Sequence, residues 1–367
     1  MVLLPSLFNK GGIFNHTLGV SKNQNPMFDW RFLRIKYQYP WINKRKKNLK
    51  KDDNNFHVTK KTSAKYMNWF SPISTLKRLN KLGKDADFIY LPYWTIAMMP
   101  FLVPIYFYIK YINKRIKLIL EIHNIFDHFE ISYSKKISLL ILRKFVNRSK
   151  VIFTHSLSHQ KFIKNNFGKE TIIVPLPSNF KIDRNRPLGI NKPIKIVFYG
   201  LVRKYKGIKK VIEAMDIILE KYNVQFIIAG EVWWGDKIIK NLKSKYNNKV
   251  SLKLNFMSDN EVIDVLSNSD IGLFCYETAS QSGALIDALS FGLAVLVSDV
   301  GGLSETIQYG KIGVLLKENN VKEIVKELTI LIENEDEIIS LKNLSINYAL
   351  DQYSWKKYYE KFNHVIL

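Results

Sequence analysis

Apolar positions along this chain fall into two rhythms. In the second half, Ile194 to Tyr199 is a β-rich run closed by Gly200. The stretch after it repeats at helical spacing, with Ile208, Val211, Ile212, Ala214, Met215 and Ile218 on one face. Val224 to Ala229 is strand-like again and ends at Gly230. The pattern then predicts helix 236–247, strand 250–255, helix 259–268, strand 271–276, helix 282–291 and strand 294–298. Alternation at this spacing indicates βαβ units and a parallel sheet with helices on both faces.

The first half shows the same alternation less cleanly. Val2 to Leu7, Phe88 to Leu91, Leu118 to Ile122, Val151 to Thr154 and Ile172 to Val174 are the strand candidates. Residues 42–66 are polar and basic without apolar period, which reads as a surface excursion. A polar stretch with Pro and Gly, 181–193, marks the boundary. The expected organisation is therefore an N-terminal domain 1–183, a C-terminal domain 184–353, and a final helix 354–367 crossing back to the first domain. Two doubly wound domains would face each other across a cleft at the carboxyl ends of their strands, where such sheets bind ligands.

Composition narrows the class. The chain has 367 residues, 47% apolar and 24% charged, as ordinary globular proteins do. The single cysteine, Cys275, leaves no disulfide framework and no multi-cysteine metal site. Met1 to Leu7 is too short for the apolar part of a signal peptide. The longest apolar run, Thr95 to Ile109, is below the ~18 residues of a spanning helix and contains Pro100 and Pro104. The expected location is cytoplasmic, peripheral on the cytosolic face of the membrane.

The charge changes that picture more. The net charge is +24. Residues 1–183 hold 32 basic and 10 acidic residues, a net +22, whereas 184–367 hold 24 and 22. A Lys-rich compositional bias would act on both halves, so the asymmetry points the first half at something anionic, and an anionic membrane surface is the expected partner. The basic residues carry no nucleic-acid recognition motif, so no nucleic-acid partner is expected.

Candidate chemistry gathers at strand ends. In Tyr276-Glu277-Thr-Ala279-Ser280-Gln281-Ser282-Gly283, a strand passes into a helix, so hydroxyls and free backbone N–H groups could meet a diphosphate. Asp287, a turn later, could accept from ribose hydroxyls; a simple helix cap at Ser282 explains the same residues. Phe198-Tyr-Gly200-Leu-Val-Arg203-Lys-Tyr-Lys206-Gly207 puts a guanidinium and an ammonium beside a glycine turn. A solvated basic loop is the alternative for either residue. Gly301-Gly302-Leu-Ser-Glu305 is a third turn of this kind. In the first half, Gly11-Gly12-Ile13 and His16 follow the first strand, and His123, Asn124 and His128 follow a later one. Spacing offers no third metal ligand, so these read as polar contacts to a sugar or acceptor, or as structural histidines.

Taken in order, Gly11-Gly12-Ile13, His123-Asn124-Ile125-Phe126-Asp127-His128, Arg203-Lys204-Tyr205-Lys206-Gly207 and Ala279-Ser280-Gln281-Ser282-Gly283 resemble glycosyltransferase family 4, of the two-domain GT-B fold. The resemblance implies a nucleotide-sugar donor on the C-terminal domain and a glycan acceptor on the N-terminal one. It implies retention of configuration, no metal, and no cofactor beyond the donor substrate. Arg203 and Lys206 would hold the diphosphate, His123 would lie near the transferred sugar, and Gly12 near the phosphates or the acceptor. Ser280, Gln281, Ser282, Gly283 and Asp287 would complete the donor site, with His16, Asn124 and His128 toward the acceptor. The sequence departs from the family where two glutamates eight positions apart are common. Here those positions are Ala279 and Asp287, and Glu277 would have to substitute. The expected function is a retaining hexosyltransferase acting on a lipid-linked glycan in surface-polysaccharide assembly. A nucleotide-sugar epimerase of GT-B-like fold and a basic nucleic-acid-binding protein are the alternatives.

Overall fold

A computed structural model describes residues 2–7, 12–22, 29–35, 71–94, 98–125, 132–235, 239, 242 and 245–366. The chain divides into two compact units, Met1–Pro175 with Tyr359–Leu367, and Leu176–Tyr358.

Unit 1 is built on six parallel strands: β1 (Val2–Leu7), β2 (Trp30–Ile35), β3 (Phe88–Tyr93), β4 (Lys117–Ile122), β5 (Ser149–Thr154) and β6 (Ile172–Ile173). They lie in the order β2-β1-β3-β4-β5-β6. After its first residue β4 is buried throughout, as a strand covered by helices on both faces must be. The helices are α1 (Gly12–Lys22), α2 (Pro72–Gly83), α3 (Met99–Phe107, continued by a π turn Tyr108–Ile112), α4 (Ser132–Arg148) and α5 (Leu157–Phe167). Ser71 and Ser156 cap α2 and α5 by accepting the backbone N–H of Ser74 and His159. Strand β2 is absent from the apolar pattern because Arg31 and Arg34 interrupt it. Trp30 anchors it instead, its ring 6.1 Å from Tyr90 and 5.8 Å from Phe362.

The apolar run that begins at Thr95 does not act as one face. Trp94, Phe101 and Tyr108 are buried, whereas Phe107 and Tyr111 are exposed. No helix among the described residues is long and apolar enough to cross a membrane.

Unit 2 has β7 (Ile194–Tyr199), β8 (Val224–Ala229), β9 (Val250–Lys253), β10 (Ile271–Phe274), β11 (Ala294–Ser298) and β12 (Val314–Leu316). Their order is β12-β11-β10-β7-β8-β9, all parallel. The chain winds outward from β7 in both directions, so the switch point lies between β7 and β10. The helices are α6 (Ile208–Lys221), α7 (Asp259–Ser267), α8 (Gly283–Ser290), α9 (Gly302–Thr306), α10 (Val321–Glu333) and α11 (Glu335–Gln352); α12 (Trp355–Ile366) begins in unit 2 and continues into unit 1 from Tyr359. Most of the helix expected at 236–247 lies outside the described residues.

The division between units falls at Pro175, ahead of the polar 181–193 stretch. Hydrogen bonds explain the earlier position. The Ser178 N–H donates to the Tyr353 carbonyl, and Asn179 binds Asp287 through its backbone and side chain. The polar stretch itself is pinned inside unit 2, where Asn191 donates to the buried Asp270. At the other end, Tyr359 to Leu367 belong to unit 1. There the Tyr359 hydroxyl donates to the Val20 carbonyl and Phe362 packs on Tyr90 and Phe153.

Candidate donor site and a buried histidine cluster

Two loops flank the switch point of the unit 2 sheet. One runs from Gly200, after β7, to Gly207 at the start of α6; the other runs from Cys275, after β10, to the N-terminus of α8. Glycine is required twice in the first. Gly207 has φ +73°, and a Cβ there would fall 2.0 Å from the Cys275 carbonyl oxygen. Gly200 has φ +102°, and a Cβ there would fall 2.8 Å from the Lys206 Nζ and 3.2 Å from the Ala284 Cβ. The bare backbone at 200 therefore leaves room for the Lys206 ammonium beside the first turn of α8.

Lys206 is 7% exposed, and its Nζ lies 5.0 Å from the centroid of the Tyr276 ring. The Tyr276 hydroxyl meets the Ser282 Oγ at 3.2 Å. Unit 2 contains another buried lysine for comparison. Lys342 Nζ pairs with Asp270 at 2.9 Å and donates to the Gly189 carbonyl at 2.6 Å. Lys206 has no such carboxylate among the described residues: burial pushes its pKa down to about 8, and neighbouring Arg203 adds to the fall. A buried cation without an anion is costly unless a ligand supplies the charge.

The helix end beside it is suited to the same ligand. Ser282 caps α8 by accepting the Leu285 N–H at 3.2 Å. The first N–H groups of α8 have no partner within the helix and carry its positive end. Arg203 stands at the start of the short Lys204–Lys206 turn, with its guanidinium stacked 4.6 Å from the Trp233 ring. Lys206, Arg203 and the α8 N-terminus thus lie along one edge of one sheet, an arrangement that can hold a diphosphate and neutralise it as a leaving group.

Other expected donor residues have different surroundings. Asp287 is buried, and its oxygens accept from Ser178 Oγ, Asn179 N–H and Asn179 Nδ2. It anchors the 178–179 segment and is not an open acceptor for ribose. Burial raises its pKa to about 6 against the pull of those donors. Glu277 pairs with Lys210 at 2.8 Å, at the surface, so it does not replace the glutamate lost at Ala279. The Ala279 carbonyl instead packs on Gly301, where a Cβ would fall 1.7 Å away. Ser280 and Gln281 lie half-buried in the loop before α8.

Gly200→Ala is the variant that tests the seat itself. It should displace the ammonium and lower affinity for a nucleoside diphosphate about 10-fold or more, at a backbone cost of about 1 kcal/mol. Isothermal titration with UDP, GDP and ADP reads the outcome, and unchanged affinity for all three would remove Lys206 from the site.

In unit 1 the expected acceptor residues converge on one that sequence reading passed over. Glu121, fully buried on β4, accepts a short hydrogen bond from the Tyr90 hydroxyl. His16 Nε2 is 2.9 Å from the same Glu121 oxygen and His123 Nε2 is 3.0 Å from it. His155 extends the chain: its Nε2 is 3.1 Å from His123 Nδ1, and its Nδ1–H donates to the Val174 carbonyl at 2.7 Å. Both ring nitrogens of His123 are therefore engaged within unit 1. His123, expected near the transferred sugar, is thus held by Glu121 and His155 through its two ring nitrogens. Burial favours an uncharged Glu121, but His16 and His123 outweigh it and hold the carboxyl well below its ordinary pKa. Burial lowers the His123 pKa, and it pushes His155 to about 3 and His159 to about 4.

Spacing alone offered no third metal ligand near His123, yet folding brings His16 and Glu121 beside it, with ligand atoms within 4.8 Å of one another. The Tyr90 hydroxyl and the His16 and His123 rings crowd one carboxylate oxygen at hydrogen-bond distances. Asn124 donates to the Trp94 carbonyl at 3.3 Å. Gly12 opens α1, while Gly11 and His128 lie outside the described residues. The signal that could have found Glu121 is a lone carboxylate in the apolar run Leu118 to Ile122.

The fold is that of GT-B glycosyltransferases, and part of the chain is similar to group 1 glycosyltransferases. Residues 180–349 match the family Glycosyl transferases group 1. HepE from Anabaena, solved in complex with UDP, superposes with a TM-score of 0.74 at 14% identity, covering 100% of this chain and 98% of that one. An uncharacterized glycosyltransferase of Methanocaldococcus jannaschii is 26% identical over 261 residues, 68% of this chain and 64% of that protein. The match thus spans just under two thirds of the archaeal relative. The capsular polysaccharide biosynthesis glycosyltransferase CapM of Staphylococcus aureus is 26% identical over 57% of each chain.

Proposed function

We propose that this protein is a retaining glycosyltransferase that moves a hexose from a nucleoside-diphosphate sugar to a lipid-linked glycan during surface-polysaccharide assembly. The observation that carries the reading is the Lys206 ammonium, buried beside the N-terminus of α8 without a carboxylate partner among the described residues. Lys206 and Arg203 neutralise charge as the bond between the anomeric carbon and the β-phosphate oxygen breaks. The acceptor hydroxyl bonds to that carbon on the face the phosphate leaves, and its proton passes to the departing phosphate. No metal or cofactor is assigned. Unit 2 supplies the donor-binding groups, and the acceptor falls to the strongly basic first half of the chain. A role in polysaccharide assembly is supported by the name of the CapM relative.

A thermal-shift panel of UDP-, GDP- and ADP-sugars tests the reading. The donor that binds should raise the melting temperature by several degrees at about 100 times its Kd, since ligand linkage then contributes about 2.7 kcal/mol. UDP-sugars are the first expectation, because HepE is solved with UDP. No shift with any of the three classes would overturn it.

A further inference from the structure

We propose that the outer face of α3, its π continuation and α4 is the surface by which this protein docks on an anionic phospholipid bilayer. Exposed apolar residues form a stripe at four-residue spacing along the first helix: Met99, Val103, Phe107 and Tyr111, the last 56% exposed. On α4, Ile137 and Leu140 are likewise exposed, Leu140 at 61%. The two helices are neighbours. Arg148 Nη2 near the end of α4 donates to the carbonyls of Ile109 and Lys114, and the rings of Tyr106 and Phe145 lie 5.5 Å apart. Soluble surfaces seldom carry apolar side chains so closely grouped without a partner.

The charge around the stripe selects the partner. Residues 98–120 and 132–153 contain ten lysines and arginines and no acidic residue, among them Lys110, Lys114, Arg115, Lys135, Lys136 and Lys144. A second copy would set one basic face against another, which repels. A nucleic acid would satisfy the lysines but gives Val103 and Leu140 nothing to enter. An anionic bilayer answers both features: phosphates meet the cations, and the acyl boundary takes Phe107, Tyr111 and Leu140. Of the apolar run Thr95 to Ile109, only the outward members Met99, Val103 and Phe107 belong to this face.

Vesicle co-sedimentation tests this without any sugar donor, so it can fail while the transferase reading stands, and the reverse. The full chain should sediment with phosphatidylcholine vesicles containing roughly a third phosphatidylglycerol and not with phosphatidylcholine alone. Raising salt from roughly 0.1 M to 0.5 M should weaken binding without abolishing it. The double variants Phe107→Ser with Leu140→Ser, and Lys135→Glu with Lys136→Glu, should each lower the vesicle partition coefficient about 10-fold or more. All four side chains are exposed, so both variants should keep the wild-type melting temperature and nucleotide-induced shift. Absence of binding to anionic vesicles at low salt, or binding that neither variant changes, overturns the proposal. Salt-labile capture of RNA without vesicle binding, or a dimer dispersed by the Phe107→Ser pair, would overturn it in favour of those partners.

Discussion

Lys206→Ala should lower turnover by about 10²-fold, the scale for removing one preorganised charge from a developing anion. The paired variant Lys206→Met shows why this loss would be functional. Methionine fills the same buried volume without charge, so the protein should become more stable by on the order of 2 kcal/mol. Loss of nucleotide binding with a gain in melting temperature is the expected signature, because a purely structural lysine would give a loss of both. The pH dependence has a fixed sign. Lys206 titrates near 8 in the folded chain, against an ordinary 10.5. The folded state sheds its proton first, so this site's penalty is full below pH 8 and fades as pH rises toward 10.5. Affinity for a nucleoside diphosphate needs the charged form and should fall as pH rises above 8, by up to tenfold per unit. Titration calorimetry at intervals from pH 7 to about 10 reads both wild type and variant. A flat affinity profile in the wild type would remove Lys206 from contact with the diphosphate.

Unit 2 was legible because its chemistry is local in sequence. Gly200, Lys206 and Gly207 sit in one strand-to-helix turn, and Ser282 and Gly283 in the next one toward the switch point, so a reading of β–α punctuation reaches both. What the motif could not supply was orientation. Asp287 lies one turn into α8 as expected, but it faces Ser178 and Asn179, more than 100 residues away in sequence. Glu277 found Lys210 on the neighbouring helix α6. In unit 1 the balance reverses. His16 and His123 were visible as polar residues at strand ends, but their meaning depends on Glu121, Tyr90 and His155. Those contacts join α1, β3, β4 and the end of β5, at separations of 74 residues from His16 to Tyr90 and 32 from His123 to His155. Only the parallel sheet order makes those side chains neighbours, and no local spacing encodes it. Strand β2 was missed for a related reason: as an edge strand it keeps two arginines and depends on Trp30 for its anchor.

The two units should respond oppositely to acid, because their buried titratable groups are shifted in opposite senses. All seven histidines of the chain fall in the sequence of unit 1 and none lies between Leu176 and Tyr358. His155 and His159 are buried, with pKa values pushed down to about 3 and about 4. Unfolded, each would titrate near 6.5, so between those values the unfolded chain binds more protons and stability falls as pH drops. The two together should cost unit 1 on the order of 5 kcal/mol between pH 6.5 and 4, comparable to the whole stability of many domains. Glu121 adds a further loss below about 4.5, because its folded pKa lies lower still. Asp287 acts in the other direction. Its pKa is raised to about 6, so the folded state takes up a proton first and unit 2 gains stability as pH falls through 6 toward 3.8. Hydrogen-exchange mass spectrometry of the full chain at pH values down to about 4 should show protection lost in peptides covering β4, β5 and α5 while β7, β10 and α8 keep theirs. His159→Leu should flatten the loss, since it removes one titrating group without touching the hydrogen bonds of Glu121. Equal loss of protection in both units, or an unchanged acid slope in that variant, would show that the buried histidines do not set the acid limit.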